Sequence, residues 1–168
     1  GIYNVHFTQD AYQPRLLGHQ FFSDNAYLDT LTLVPGGVVS LSGNVSGTFT
    51  SNNLYFVDGD ITIPYGDSLI IEAGTQILFR GYYSITANGP LFVNGTPGNK
   101  VIFSSRMPVP AVGDWNSIYL SDSATGSVIK HAVYKYATDG FICNYLGQLT
   151  IWGCEINTLA INARAITL

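Results

Sequence analysis

Charged residues are scarce in this sequence. They make up 11% of its 168 residues, and the net charge is −4, whereas about a quarter of the residues in a typical soluble domain are charged. The seven Lys and Arg residues provide no basic patch that would attract nucleic acid or an anionic membrane surface. We therefore expect no nucleic-acid partner, and a surface covered by Ser, Thr, Asn, Gly and Tyr.

Cysteine is almost absent. The two cysteines, Cys143 and Cys154, are too few for a disulfide-rich scaffold. We expect both to be small, buried and inert thiols. The alternative is a single bridge between them, because both fall on inward positions of the same predicted coil, although the sequence does not fix the Cα separation that a bridge requires.

Long apolar runs are also missing. The longest runs contain only a handful of residues, which excludes a transmembrane helix, and we expect no membrane insertion. The sequence starts at Gly1 without a basic and then apolar leader, as in a secreted chain whose signal has been removed or an excised piece of a longer protein. A neutral surface is typical of secreted β-proteins, so we expect an extracellular, cell-surface location.

What the sequence does contain is an internal repeat between Asp60 and Arg106. Three short apolar runs, separated by Gly, Pro, Asn and Asp, occur twice in the same order. The offsets between equivalent runs are 24, 22 and 24 residues, for Ile61–Ile63 with Ile85–Ala87, Leu69–Ile71 with Leu91–Val93, and Gln76–Phe79 with Lys100–Phe103. A repeat of this length predicts a stacked solenoid within a single domain.

The period within each run predicts the geometry of the solenoid. Alternate side chains of a strand lie on one face, so Ile61 and Ile63 point the same way. Such short runs do not pair with each other as hairpins, but each can pair in parallel with its equivalent one coil later, which places Ile61 over Ile85 and Ile63 over Ala87. We therefore predict an all-β fold, a right-handed parallel β-helix with three short strands per coil.

The regular pattern does not extend over the whole chain. Residues 1–30 are irregular and are predicted to form an N-terminal cap or docking segment over one end of the helix. Residues 31–168 are predicted to form the β-helix, with Met107–Asp114 as an inserted loop and Ile161–Ala163 as the start of a last coil. No capping sequence follows, so we expect a C-terminal end that is open or truncated and available for strand addition.

The repeat also resembles a known family. The run from Asp60 to Phe79, which contains D-I-T-I-P-Y-G and L-I-I-E-A-G-T, is similar to the opening coil of secreted bacterial right-handed parallel β-helix repeat proteins, the adhesin-like and pectate-lyase-like solenoids. Residues 90–103 and 114–118 continue this resemblance, which covers about residues 58–160. It implies secretion and surface display, and the relatives include adhesin-like modules and polysaccharide-active proteins.

A second resemblance concerns covalent modification. Asp29-Thr30-Leu31, Asp67-Ser68-Leu69 and Asp122-Ser123-Ala124 are similar to the Asp-Ser/Thr-apolar triplet that carries O-glycans on secreted proteins of Bacteroidota-type bacteria. The resemblance implies glycans on Thr30, Ser68 and Ser123. The alternative is that these dipeptides only form turns before strands.

No catalytic constellation emerges, and we assign no catalytic residue and no cofactor. The three histidines are scattered along the chain, at His6, His19 and His131, without a second ligand at metal-binding spacing. Asp58-Gly59-Asp60 could supply oxygen ligands to Ca²⁺, but the same tripeptide is typical of a turn. Glu72 and Asn94 are predicted to be outward neighbours one coil apart, which is not the paired-carboxylate arrangement of a glycosidase. The sequence favours a non-enzyme.

Aromatic side chains are the remaining candidates for a functional surface. Several fall on predicted turns or outward positions of strands, where exposed rings can stack on sugars or contact a partner; these candidates are Tyr82, Tyr83, Trp115, Tyr145 and Trp152. The alternative is that outward rings stack on each other and stabilise the solenoid.

These observations lead to one function and two alternatives. The expected function is that of a non-catalytic, secreted surface module with a structural or adhesive role, which contacts other protein chains or surface glycans. One alternative is a carbohydrate-binding or polysaccharide-active module, with clustered aromatics and acids in a groove. The other is a subunit of an extracellular filament, a homopolymer formed through the C-terminal edge.

Overall fold

The fold was analysed in a computed structural model, which describes residues 36–143, 149–157 and 166–167. These residues form strands, turns and bends, with no helix among them. A helix that is long and apolar enough to span a membrane is accordingly not found in the described ranges. The predicted cap at residues 1–30 and the last-coil start at Ile161–Ala163 lie outside the described residues.

The described strands are short and follow the predicted runs. They are β1 (Val38–Asn44), β2 (Gly47–Phe49), β3 (Leu54–Ile63), β4 (Leu69–Glu72), β5 (Gln76–Phe79), β6 (Ile85–Ala87), β7 (Leu91–Asn94), β8 (Val101–Ser105), β9 (Ile118–Leu120), β10 (Val128–Lys130), β11 (Ala132–Lys135), β12 (Phe141–Cys143), β13 (Thr150–Trp152), β14 (Glu155–Asn157) and β15 (Ile166–Thr167).

Equivalent strands of successive coils pair in parallel and form three ladders. The first ladder contains the ends of β1 and β3, then β6, β9, β12 and β15. The second contains β2, β4, β7, β10 and β13. The third contains the starts of β1 and β3, and then β5, β8, β11 and β14. The fold is therefore the predicted parallel β-helix with three strands per coil. Its right-handed sense is the one expected for parallel crossover connections.

The register confirms the predicted repeat. Ile61 pairs with Ile85 and Ile63 with Ala87, as the period-two pattern required. Ile85 in turn pairs with Ile118, so the stretch Met107–Asp114 is an insertion between coils, as predicted. The first ladder continues from Phe141 to Ile166.

The turn expected at Asp58-Gly59 is wrong, because β3 runs without a break from Leu54 to Ile63. Its first half belongs to the third ladder and its second half to the first. In the next coil, the five residues 80–84 separate the equivalent strands β5 and β6. In the coil of β3, residues 58–60 alone form this corner, and the chain passes from one ladder to the next as a single bent strand. The longer corner of the next coil interrupts the strand.

Inward side chains fill the coil interior. Along β4, β6 and β7, the inward side chains are buried and the outward ones are half-buried or exposed. Stacking of the coils places similar residues over one another. At the centre lies a group of aromatic rings: Phe79 is 4.1 Å from Trp115, and Tyr134 is 4.9 Å from Trp115 and 4.4 Å from Phe141, between ring centroids. These stacked rings tie adjacent coils together.

The buried hydroxyl of Tyr134 makes no hydrogen bond of normal geometry with another described residue, although the nearby backbone of Ile118 acts on its pKa in the lowering direction. Burial raises the pKa of this phenol well above its usual value. We expect Tyr134→Phe to be neutral, or to raise the free energy of unfolding by up to about 1 kcal/mol, since an unsatisfied polar group is removed and the ring is kept.

The same substitution has a consequence at alkaline pH. Because the pKa of Tyr134 is raised in the folded chain, its titration does not change the free energy of unfolding below about pH 10. Above that pH the phenol ionises in the unfolded chain but not in the folded one, and this lowers the free energy of unfolding. Urea unfolding measured at neutral pH and again above pH 10 should show that the free energy of unfolding falls less for Tyr134→Phe than for the parent as the pH rises. A loss of more than about 1 kcal/mol at neutral pH would mean that the hydroxyl has a partner.

The two cysteines are not bridged. Cys143 is buried, as expected, whereas Cys154 is only half-buried, and both are thiols, so the alternative of a bridge is not formed. That the two thiols are inert stays a prediction. The thiol of Cys154 donates to the carbonyl of Ile129 at 3.6 Å, and burial raises its pKa. A protonated, hydrogen-bonded thiol is a poor nucleophile.

Candidate functional site

The corner where the third ladder leads into the first is the most varied part of the described coils. Its segments are residues 58–60 within β3, then residues 80–84, 106–117 and 136–140 in successive coils. The longest of these is longer than any other described connection between strands. Insertions in solenoids collect on one face, which is often the binding face. We call these four segments the corner face.

A row of polar side chains runs along the corner face from coil to coil. The backbone N–H of Ser84 donates to Asp60 Oδ1 at 2.8 Å. Asn116 Nδ2 donates to Ser84 Oγ at 3.0 Å, and the hydroxyl of Tyr82 donates to Asn116 Oδ1 at 3.4 Å. Three coils thus contribute one side chain after another, and the ring of Tyr82, 60% exposed, stands over them.

The outward side chains of the first ladder lie directly beside this row. Thr62 pairs with Thr86, and Thr86 with Tyr119; all three are half-buried. The combined surface therefore presents hydroxyl, amide and phenol groups together with the carboxylate of Asp60. Such groups hydrogen-bond to neutral polar partners rather than attract ions.

On the other side of the corner, charges are paired. Arg80 contacts Asp58 Oδ2 at 2.6 Å and lies 4.5 Å from the centre of the Phe56 ring, while Ser40 also donates a hydrogen bond to Asp58. The hydrogen bond from Ser40 and the neighbouring Arg80 lower the pKa of Asp58. Asp58 forms an ion pair with Arg80, and Asp60 accepts a hydrogen bond from Ser84. A calcium site at Asp58-Gly59-Asp60 stays a prediction. The described part of the chain contains no group of three or more His, Cys, Asp or Glu residues arranged to hold a metal.

The inserted loop exposes apolar side chains at its tip and is held by hydrogen bonds at its base. Ser105 Oγ donates to Asp114 Oδ2 at 2.5 Å, and the backbone N–H of Ala111 donates to the same oxygen at 2.9 Å. This carboxylate therefore closes the loop across its base. At the tip, Val109 is 83% exposed, and Met107 and Val112 are 41% and 43% exposed.

We expect Asp114→Asn to loosen the loop while the coils remain folded, because a charge-assisted pair of hydrogen bonds is weakened. Limited trypsin digestion should cut after Arg106 several times faster in this variant than in the parent. Asp122→Asn, at an exposed turn elsewhere, is the matched control and should leave the rate unchanged. Equal cutting rates in the parent and Asp114→Asn would show that the carboxylate does not hold the loop.

Trp115 does not lie on the surface, and the expectation of an exposed ring is wrong for this residue. It is 0% exposed, it stacks on Phe79, and its Nε1 donates to the carbonyl of Lys135 at 2.8 Å. A strand pattern extended backwards from Ile118 would place residue 115 outside. Residues 115–117 are not part of β9, however, and the chain turns the ring inward there.

The other candidate aromatics differ in exposure. Tyr82 and Trp152 are exposed, at 60% and 67%, whereas Tyr83 is half-buried and packs against the core. Tyr145 lies outside the described residues. Contacts of Tyr82, Tyr83 and Trp152 with carbohydrate or a partner stay predictions.

The predicted modification sites also stay predictions. Ser68 is half-buried, and its carbonyl accepts from the N–H of Gly47 at 2.9 Å. Ser123 is half-buried and shares a hydrogen bond with Ser121 between their hydroxyls at 3.0 Å. Thr30 lies outside the described residues. Both described serines thus follow an Asp near a turn. The alternative, that these dipeptides only form turns before strands, requires the same arrangement.

Sequence reasoning missed the polar row and the apolar loop tip. The signal for the tip was the alternation of proline with apolar residues in a segment predicted to be a loop. The row had no local signal, because Asp60, Ser84 and Asn116 are brought together only by coil stacking.

Comparisons with known proteins agree with this geometry. A family model described as a pectate-lyase-like beta helix domain matches residues 42–136, which is more than half of the chain. Comparison with curated proteins and with solved structures gave no match.

Proposed function

The chain belongs to the pectate-lyase-like beta helix domain family. We propose that it is a non-catalytic, secreted surface module with a structural or adhesive role. The observation that carries the proposal is the corner face. It combines a rigid scaffold, a row of polar groups and an anchored loop whose tip exposes Met107, Val109 and Val112. Exposed apolar side chains with a polar surround are typical of protein contact sites.

The anchoring of the loop supports adhesion rather than a purely structural role. An apolar tip costs solvation free energy unless a partner covers it. A tip held by Asp114 loses less conformational entropy on binding than a mobile one. The partner that fits is a protein chain with an apolar recess, and a surface glycan would fit the polar row better.

Adhesion of protein-coated beads to intact cells of the source organism tests this proposal. We expect beads coated with the parent to adhere, and beads coated with Val109→Asp to adhere at least about fivefold less, since a charge replaces an apolar contact at the tip. Val38→Asp, at a valine that is 63% exposed in β1, is the matched control and should adhere like the parent. Equal adhesion of both variants, or no adhesion of the parent above blank beads, would contradict the proposal.

A homopolymeric extracellular filament is the alternative to a single surface module. The mass and oligomeric state of the native protein, measured by light scattering, distinguish a polymer from a single module. The same mass reveals any O-glycans on Thr30, Ser68 or Ser123.

A further inference from the structure

Charged side chains are unevenly distributed around the described coils. Three successive coils each place a cation at or just after the end of their strand in the third ladder: Arg80 follows β5, Arg106 follows β8, and Lys135 is the last residue of β11. The guanidinium groups of Arg80 and Arg106 lie 4.5 and 5.9 Å from the centre of the Phe56 ring. Arg80 is paired with Asp58, whereas Arg106 and Lys135 form no ion pair with another described residue. We call the three cations the cationic strip.

Apolar side chains lie beside the cationic strip. In the third ladder Phe56 pairs with Leu78, and Ile102 lies on the neighbouring strand β8. All three side chains are outward and half-buried, so the strip borders an apolar base. Such a surface fits a partner that supplies carboxylates together with an apolar group.

The turns that lead from the first ladder into the second carry the opposite charge. Asp67 and Asp122 lie in these turns, are exposed and form no ion pair with another described residue. Lys and Arg do not occur in the described turns of this connection, which are residues 64–68, 88–90 and 121–127. The ring of Tyr65, two residues before Asp67, is 82% exposed. We call Tyr65, Asp67 and Asp122 the acidic edge.

The acidic edge and the cationic strip lie on opposite sides of the same coils. A coil has three sides, so the turn between its first two strands faces away from the third strand. Asp67 and Arg80 belong to one coil, and Asp122 and Lys135 belong to the coil two further along. Because coils are about 4.8 Å apart, the two acids are separated by roughly 10 Å along the helix axis, and so are the two cations. A second copy placed alongside, with a parallel axis and no axial shift, therefore brings each acid to a cation.

We propose that the partner of the cationic strip is the acidic edge of a second copy of this chain, so that copies associate side by side. Tyr65 of one copy then faces the apolar base of the next, and Arg80 can contact a second carboxylate with its remaining N–H donors. Because the two surfaces lie on opposite sides of the coil, the contact is heterologous and repeats without closing, which gives open rows. The contact uses other residues than the exposed loop tip, and it does not depend on the adhesive function.

The contact is small, so it is weak in dilute solution. Exposed ion pairs each contribute little, and the net charge of −4 opposes the association of identical chains. Rows therefore form where the chain is concentrated, as on a densely covered surface. At micromolar concentration the chain stays single, so the digestion comparison with Asp122→Asn reports on the loop alone.

Sedimentation equilibrium of the full chain over a range of concentrations tests the proposal. We expect the weight-average mass to be that of a single chain, 18.2 kDa, at low concentration. At a hundredfold higher concentration, about 1 mM, it should exceed twice that value in about 0.1 M salt and return to that of a single chain in about 0.5 M salt, because salt screens exposed charges.

Exchange of charges between the two surfaces identifies the contact. Asp122→Lys and Lys135→Glu should each weaken association at least about tenfold, because like charges then meet. An equimolar mixture of these two variants, or one chain carrying both substitutions, should associate like the parent, since opposite charges face each other again. Recovery in the mixture also shows that both variants are folded. Lys130→Glu, the same charge change at an exposed lysine of the second ladder, is the matched control and should associate like the parent.

Four outcomes would overturn the proposal: a single chain at every concentration, a mass that stops at twice that of the chain, no recovery in the mixture, or polymers that persist in both single variants, as an end-to-end filament would. Binding of soluble poly-glutamate by a chain that stays single would assign the strip to another acidic partner and overturn it as well. Val109→Asp should form rows normally, and Lys135→Glu should leave bead adhesion unchanged. Loss of one property without the other therefore refutes only the corresponding proposal.

Discussion

Trp115→Ala is expected to lower the free energy of unfolding by about 3–5 kcal/mol, the range for removing a large buried aromatic side chain. The indole is 0% exposed, stacks at 4.1 Å on Phe79 and contacts Tyr134, so its loss opens a cavity where three coils meet. The carbonyl of Lys135 also loses the hydrogen bond from Nε1. Equilibrium urea unfolding followed by circular dichroism measures the change.

Trp152→Ala is the control that the chain itself offers. The same residue type is removed, but this ring is 67% exposed, so the expected change lies within about 0.5 kcal/mol. A loss for Trp152→Ala as large as that for Trp115→Ala would mean that the difference in burial does not exist in solution. A loss below about 1 kcal/mol for Trp115→Ala would mean that its ring does not fill the core.

Gly95→Ala is expected to destabilise the chain by about 3 kcal/mol, the upper end of the usual range for overpacking. A Cβ at this position would lie 2.2 Å from the carbonyl oxygen of His131 and 2.8 Å from that of Lys130. Both obstacles are backbone atoms of the next coil, so the clash cannot be relieved by a side-chain rotation. The coils would have to separate locally, and the hydrogen bond from the N–H of Gly95 to Lys130, 3.0 Å long, would weaken.

Gly98→Ala is the matched control in the same connection. A Cβ there would meet no atom within 4 Å, so the expected change is within about 0.5 kcal/mol. The difference between the two midpoints of thermal unfolding checks the prediction. If Gly95→Ala and Gly98→Ala unfold at the same temperature, the close contact between the coils at Gly95 is absent.

The pairing of Lys130 with Trp152 in the second ladder depends on the same close stacking. Gly95 and Gly153 lie on either side of His131, and a Cβ on either would collide with it. Small residues at both positions let three coils approach at one corner.

Much of the fold could be predicted from the sequence, because the relevant signals are local. Period-two alternation indicates which side chains of a strand lie inside, and a repeat near 24 residues indicates which strands stack. These two patterns sufficed for the pairing of Ile61 with Ile85 and for the neighbours Glu72 and Asn94, both of which are confirmed. The inserted loop was also predictable, since proline cannot continue a central strand.

Less of the candidate sites could be predicted. The second ladder aligns Asn94, Lys130 and Trp152, and the lengths of the intervening connections hide this alignment in the sequence. The exposed apolar tip depends on Asp114, whose hydrogen bonds to Ser105 and Ala111 form only in the folded loop. The continuity of β3 depends on how few residues the first corner contains.

The sequence by itself determined the all-β class, the three-strand coil and most of the inward positions, because the backbone alternates its side chains wherever a strand is regular. The tertiary structure alone decided the places where the strands stop. Trp115 lies in an irregular segment just before β9, where no period applies, and its ring turns inward because Phe79 and Tyr134 of neighbouring coils leave an apolar space for it. Burial at such a position depends on contacts between coils, which no local pattern encodes.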